Sequence, residues 1–258
     1  IVLYVESIKD SRRFFEVSRR VGMKKPIILL KGGRTEEGNR AAASHTGAMA
    51  SNIRVFTAAC RQSGIVLAEQ PMDLLDLSAC FSYLPLPRGN RVGLVTLGGG
   101  WGVVATDLCV ESGLVVPSLS EDIIAEIDKI LPPFWSRENP IDLVGEFNPA
   151  TSIKGLEELV KWDECDAIVH LGVLGRLSFV RKLVDSAAVA DPAYTREQLE
   201  ALPRALQEFD RKIESEIVTM MEKYRKPIIG VSLMKDEDTR IITGVNAGPY
   251  RCISFLTP

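Results

Sequence analysis

Only two histidines, His45 and His170, occur in the 258 residues of this chain. His45 stands in Ala41-Ala42-Ala43-Ser44-His45-Thr46-Gly47-Ala48, where small neighbours leave the ring unshielded. Neutral imidazole is available near pH 7, so such a residue can serve as a nucleophile or a proton carrier. Upstream, Gly32-Gly33-Arg34-Thr35-Glu36-Glu37-Gly38-Asn39-Arg40 mixes turn formers with charges. The segment from Gly33 to Ala48 therefore reads as a mobile surface loop. The plainer reading of His45, a solvated loop residue with no chemistry, stays open on these grounds. His170 lies inside the apolar run Asp166 to Gly172 and reads as a satisfied core histidine.

Glu6 follows Ile1-Val2-Leu3-Tyr4-Val5, a β-branched apolar run that predicts a buried strand. A carboxylate at the carboxyl end of such a strand could meet the histidine segment, which leaves the next strand in sequence. Bonded to one ring nitrogen, it would fix the tautomer and leave the other nitrogen nucleophilic. On these grounds alone an ordinary capping or surface carboxylate is the favoured reading. A third feature is Gly98-Gly99-Gly100-Trp101-Gly102, between a predicted strand and a predicted helix. Uncovered backbone N–H groups and the helix dipole suit an anion there, a phosphate above all. No Gly-Lys-Ser/Thr follows, and the third glycine of a dinucleotide fingerprint is absent. A tight turn that needs glycine is the alternative.

The elements that must position these residues alternate. Strands are expected at residues 1–5, 26–30, 65–68, 91–97, 114–116, 166–172, 227–233 and, at an edge, 252–255. Helices are expected after Ser7, over 52–62, 72–83, 103–112 and 121–130, and from about Ala150 to Lys161. A long amphipathic helix is expected to carry Leu206, Phe209, Ile213, Ile217, Met220 and Tyr224. Ser7 is expected to cap the first helix and Ser120 the fifth, and Val55, Ala59 and Cys60 to face the core. Alternating β and α predicts parallel sheets covered by helices. The pattern restarts after Pro85-Leu86-Pro87-Arg88-Gly89-Asn90, which reads as a linker.

Bulk properties remove several classes. Net charge is −3 and charged residues make up 25%, which gives no reason to expect a nucleic-acid partner. The five cysteines are scattered and form no CxxC pair, so a zinc site or disulfide framework is not expected. No apolar run is long enough to span a membrane. A cytoplasmic protein is the expectation.

The segment from Lys31-Gly32-Gly33-Arg34 through Ser44-His45-Thr46-Gly47-Ala48 closely resembles the histidine loop of ADP-forming acyl-CoA synthetases, relatives of the succinyl-CoA synthetase α subunit. Leu131-Pro132-Pro133-Phe134 and Asn139-Pro140-Ile141-Asp142-Leu143 look like the same family. The resemblance covers nearly the whole chain and is weakest across Arg176 to Lys226. It implies an α/β chain of two flavodoxin-like, doubly wound parallel-sheet domains. Residues 1–86 would be the C-terminal part of the domain that owns the histidine loop, and 87–258 a second such domain.

The resemblance also implies roles. His45 would be transiently phosphorylated, Glu6 would contact it, and Ser44, Thr46 and Gly47 would complete the loop. Gly98, Gly99, Gly100, Trp101 and Gly102 would hold phosphate, and no residue would bind a metal. The implied reaction interconverts acyl-CoA, phosphate and ADP with a free acid, CoA and ATP. CoA and ADP/ATP with Mg2+ belong to the complete enzyme; this fragment would hold none tightly and be inactive alone. A CoA-binding domain is expected before Ile1, and an ATP-grasp domain after Pro258 or on another subunit, in an oligomer. Two rivals are a non-catalytic acyl-CoA-sensing region of a protein acetyltransferase and a purely structural fragment.

Overall fold

The computed structural model describes residues 1–46, 52–146, 148–191, 193, 195–232 and 248–255. The chain divides into two compact units, Ile1–Ser82 and Tyr83–Pro258.

In the first unit the order is β1 (Val2–Val5), α1 (Ser11–Gly22), β2 (Ile27–Lys31), α2 (Glu36–Thr46), α3 (Ile53–Gln62), β3 (Ile65–Ala68) and α4 (Pro71–Tyr83). The three strands form a parallel sheet in the order β1-β2-β3. Strand β2 is central and buried along its whole length. Alternation sends Ile27 and Leu29 to one face, against Phe14 and Val21 of α1 and Phe56 and Cys60 of α3. Ile28 and Leu30 go to the other, against Leu74, Leu77 and Phe81 of α4.

Four local expectations are corrected here. Strand β1, expected to be buried, is an edge strand whose Val2 and Tyr4 are exposed. Asp10, not Ser7, caps α1, its carboxylate accepting from the Arg13 N–H at 2.9 Å. Asn52 caps α3, and this phase buries Phe56 and Cys60 while Val55 stays exposed. The loop expected from Gly33 to Ala48 is helical from Glu36 to Thr46. The Thr35 hydroxyl accepts from the Gly38 N–H, Glu36 and Glu37 occupy the positive end of the dipole, and Ala41 to Ala43 are the strongest helix formers. Residues 47–51, including Gly47 and Ala48, lie outside the described residues.

The second unit runs β4 (Val92–Thr96), α5 (Gly99–Glu111), α6 (Glu121–Ile127), β5 (Ile141–Asp142), α7 (Pro149–Lys161), β6 (Ala167–Leu171), α8 (Leu177–Ala190), α9 (Arg196–Tyr224), β7 (Ile228–Val231) and β8 (Ile253–Phe255). All five strands are parallel, in the order β5-β4-β6-β7-β8. Counted within the unit this is 2-1-3-4-5, the doubly wound flavodoxin order, whose crossover reverses direction between β4 and β6. Helix α5 covers one face through Ala105 and Cys109. Helix α7 covers the other. The absent side chain of Gly93 lets it settle on β4; a Cβ there would stand 2.9 Å from Leu159. Phe209, Ile213, Ile217 and Met220 of α9 are buried.

The stretch at 114–116 is not a strand: only Val115 pairs, in an isolated bridge to Arg91, and Pro117 follows. Helix α6 stops at Ile127, three residues short of the expected end, and the Ser120 side chain makes no capping bond. The polar stretch Asp236 to Thr239 lies outside the described residues.

Asn139 acts as a substitute strand beside β4. Its Oδ1 accepts from the Leu94 N–H at 2.9 Å, and its Nδ2 donates to the carbonyls of Val92 and Pro117, each at 3.0 Å. Asn139→Ala leaves those three backbone groups without partners, so we expect a loss of roughly 2–4 kcal/mol. Urea denaturation measures it; a loss below about 0.5 kcal/mol, the scale of a surface substitution, would contradict this role.

Candidate active site

The carboxyl ends of β1 and β2 lie side by side, and the residues leaving them meet. Glu6 directly follows β1, and His45 lies in the last turn of α2, which follows β2. His45 Nδ1 is 3.2 Å from Glu6 Oε2. The imidazole side chain is 78% exposed, whereas the Glu6 side chain is only 19% exposed. A carboxylate can only accept, so Nδ1 carries the proton in this contact. In the neutral ring that tautomer puts the lone pair on Nε2.

The site is electrostatically tuned around Glu6. The bonds from His45 and then Tyr4 hold its carboxyl below the usual carboxylate range, with a smaller pull from Lys31. The Tyr4 hydroxyl donates to Glu6 Oε1 at 3.1 Å. Lys31 is a buried cation at the end of β2. Its ammonium donates to the Glu6 carbonyl at 2.7 Å and to the Gly32 carbonyl, and lies 5.6 Å from the Phe56 ring centroid. Burial pulls the Lys31 pKa down, and the Glu6 charge partly restores it. Tyr4 and Lys31 were not singled out by sequence reasoning. The available signal was the Tyr4-x-Glu6 spacing, which puts both side chains on one face of a strand.

Of the other histidine-segment residues, Ser44 is exposed and Thr46 is the last described residue of α2. Gly47 lies outside the described residues. A phosphoryl group on His45 would sit near the negative end of the α2 dipole, so donors from elsewhere must meet its charge.

The glycine run in the second unit is not a loop before a helix but the cap and first turn of α5. Its register decides which amides are available. The Gly98 N–H donates to the Thr96 hydroxyl, and those of Trp101 and Gly102 point to the Gly98 carbonyl, at 3.1 and 3.4 Å. The amides of Gly99 and Gly100 have no hydrogen-bond partner among the described residues. They stand at the β4/β6 reversal, where ligands of such sheets bind. Trp101 is 41% exposed. Asp142 restricts this corner: a Cβ on Gly99 would lie 2.7 Å from its Oδ2. Gly102 is a packing residue: a Cβ there would stand 3.0 Å from Thr96 Cγ2 and 3.1 Å from Pro140.

His170 corrects an expectation. It is fully buried, but neither ring nitrogen has a hydrogen-bond partner among the described residues. Burial pushes its pKa down to about 4, so the ring is neutral. It faces Gly230, whose missing side chain makes room for the ring. Among the described residues no group of three His, Cys, Asp or Glu side chains could hold a metal ion, and no helix is long and apolar enough to cross a membrane.

Comparison with known proteins bears on both units. Residues 1–81 match the succinyl-CoA ligase like flavodoxin domain, and residues 92–187 match the ligase-CoA domain. The α subunit of acetate–CoA ligase (ADP-forming) II from Pyrococcus furiosus is 44% identical over 174 residues, 67% of this chain and 38% of that protein. The α subunit of form I from the same organism is 39% identical over 212 residues, 82% of this chain and 42% of that protein. The chain thus spans about two fifths of these relatives' length. Among solved structures, the dinucleotide-forming acetyl-coenzyme A synthetase 1 of Ca. Korarchaeum cryptofilum, in complex with phosphate and ADP, is 30% identical. Its TM-score is 0.69, over 92% of this chain and 46% of that one.

Proposed function

The chain belongs to the ADP-forming acyl-CoA synthetases, and from that premise we propose that it supplies the phosphohistidine of such an enzyme. In the complete reaction, inorganic phosphate displaces CoA from an acyl-CoA to give an acyl phosphate. His45 Nε2 then attacks the phosphorus, the bond from phosphorus to the acyl oxygen breaks, and the free carboxylate leaves. Phosphohistidine passes its phosphoryl group to ADP, giving ATP. The carrying observation is the 3.2 Å contact between His45 Nδ1 and Glu6, which leaves Nε2 as the nucleophile on an exposed ring.

Glu6 orients the ring and balances the positive charge that develops on it during attack. The Gly99 and Gly100 amides at the start of α5 form a phosphate cradle, bounded by Gly98, Trp101 and Gly102. Ser44, Thr46 and Gly47 shape the segment around His45. Residues 1–86 form the histidine-bearing part and 87–258 the second ligase domain. An ATP-grasp domain or subunit binds the nucleotide with Mg2+, and CoA binds elsewhere in the oligomer. The five free cysteines fit a reducing compartment, the cytoplasm.

Glu6→Gln tests the pairing. The amide keeps the shape but loses the charge, so labelling of the assembled enzyme from γ-labelled ATP should slow roughly tenfold while still reaching completion. Labelling at the parent rate would remove Glu6 from the mechanism, and a parent enzyme that gains no acid-labile phosphate would overturn the proposal as a whole.

A further inference from the structure

We infer that Tyr4 is a positioning residue for the phosphoryl-transfer histidine, acting through Glu6, and that Gly32 is the seat that admits it. This rests on the reading of His45 as the phosphorylated residue. Strand alternation sends Tyr4 and Glu6 to the same side of the sheet, two residues apart. Tyr4 pairs with Leu30 across β1 and β2, and the Gly32 N–H extends that ladder to the Val5 carbonyl at 3.0 Å. Gly32 is therefore the next neighbour on the Tyr4 side. A Cβ there would lie 2.6 Å from the Tyr4 hydroxyl and 3.2 Å from Glu6 Cγ. Both side chains occupy space that any other residue at 32 would fill.

The consequence is geometric. Each carboxylate oxygen of Glu6 has its own donor: Oε1 takes the Tyr4 hydroxyl and Oε2 takes His45 Nδ1. With one oxygen pinned, the carboxylate cannot rotate its second oxygen away from the ring. The Lys31 ammonium fixes the Glu6 main chain from the opposite face of the sheet. Tyr4 is 62% exposed, so its ring adds little to the core, and the value of the residue here is the hydroxyl. Two ionisable groups bond the Glu6 carboxylate, Tyr4 from its own strand and His45 from α2, and the Lys31 charge acts on it from across the sheet. Both Tyr4 and His45 donate to the charged carboxylate and favour its ionised form.

The test compares labelling rates of the parent enzyme, Tyr4→Phe, Gly32→Ala and His45→Ala across pH, with γ-labelled ATP and the assembled enzyme. Tyr4→Phe removes one oxygen from an exposed ring. It should slow acid-labile labelling about three- to tenfold, with KM for ATP unchanged. Its acid limb should move to higher pH, because Glu6 loses a donor that favoured its charge. Gly32→Ala should reproduce the slowing with the hydroxyl still present. A Tyr4→Phe enzyme with the parent rate and an unmoved acid limb would overturn the role of Tyr4. If the parent itself gains no more acid-labile phosphate than His45→Ala, the phosphohistidine reading fails instead.

Discussion

His45→Ala is expected to abolish acid-labile phosphate incorporation and to reduce acid-dependent ATP turnover on the order of 10³-fold or more, as removal of a nucleophile does. The fold should survive. The side chain is 78% exposed, and alanine is a better helix former at the end of α2 than histidine. Thermal unfolding should therefore match the parent or lie slightly above it. Loss of labelling together with loss of stability would point to a structural role instead. Undiminished labelling would remove His45 from the cycle. Suspicion could not then pass simply to His170, which is fully buried and could meet a phosphoryl donor only if the core opened.

The second large effect lies in the core of the second unit. His170 has a folded pKa of about 4 against an ordinary value of 6.5, because burial penalises the cation. Below pH 6.5 the unfolded chain takes up a proton that the folded chain refuses, so stability falls as pH drops. The loss runs from pH 6.5 to about 4 and amounts to about 3 kcal/mol once complete. His170→Gln removes the titration while keeping a polar side chain, and His170→Leu also removes the unpartnered nitrogens. Both should flatten the stability profile in that window, and His170→Leu should be no less stable than the parent at pH 7. Urea midpoints between pH 4 and 7 read the effect; an unchanged acid slope in both variants would show that the ring does not stay neutral in the fold.

What was legible in the sequence depended on how far the deciding contacts lay. Strands β1 to β4, β6 and β7 announced themselves as apolar β-branched runs, and the restart at Arg91 separated two sheets. The strand order followed less directly, because Ile141-Asp142 is only two residues long and Asn139 supplies the hydrogen bonds that a longer strand would. Which face of α3 is buried was misread, since Val55 and Phe56 are equally apolar and only the Asn52 cap fixes the phase. Helix α2 was hidden by Gly33, Gly38 and Asn39. Gly33 does take a left-handed turn, at φ +71°, but Gly38 is a packing glycine against Gly33 and Thr35.

In the candidate site, His45 and Glu6 could be paired in advance because both leave carboxyl strand ends. Tyr4 and Lys31 could not, because their roles appear only once β1 and β2 are in register and Gly32 is seen to leave room. The glycine run was visible as the turn before a helix expected over 103–112, and the structure takes it into the first turn of α5 itself. Which of its amides remain available, and the presence of Asp142 beside them, depend on the register of α5 and on the short strand β5.

The central claim is that phosphate is carried on His45 through Nε2, because Glu6 occupies Nδ1. The direct measurement is phosphorus–nitrogen coupled NMR on the assembled enzyme, with 15N-labelled histidine, after reaction with ATP, together with peptide mapping of the acid-labile phosphate. The predicted result is a single phosphohistidine at His45 with phosphorus bonded to Nε2. Phosphorus on Nδ1, or on any other residue, would contradict the account.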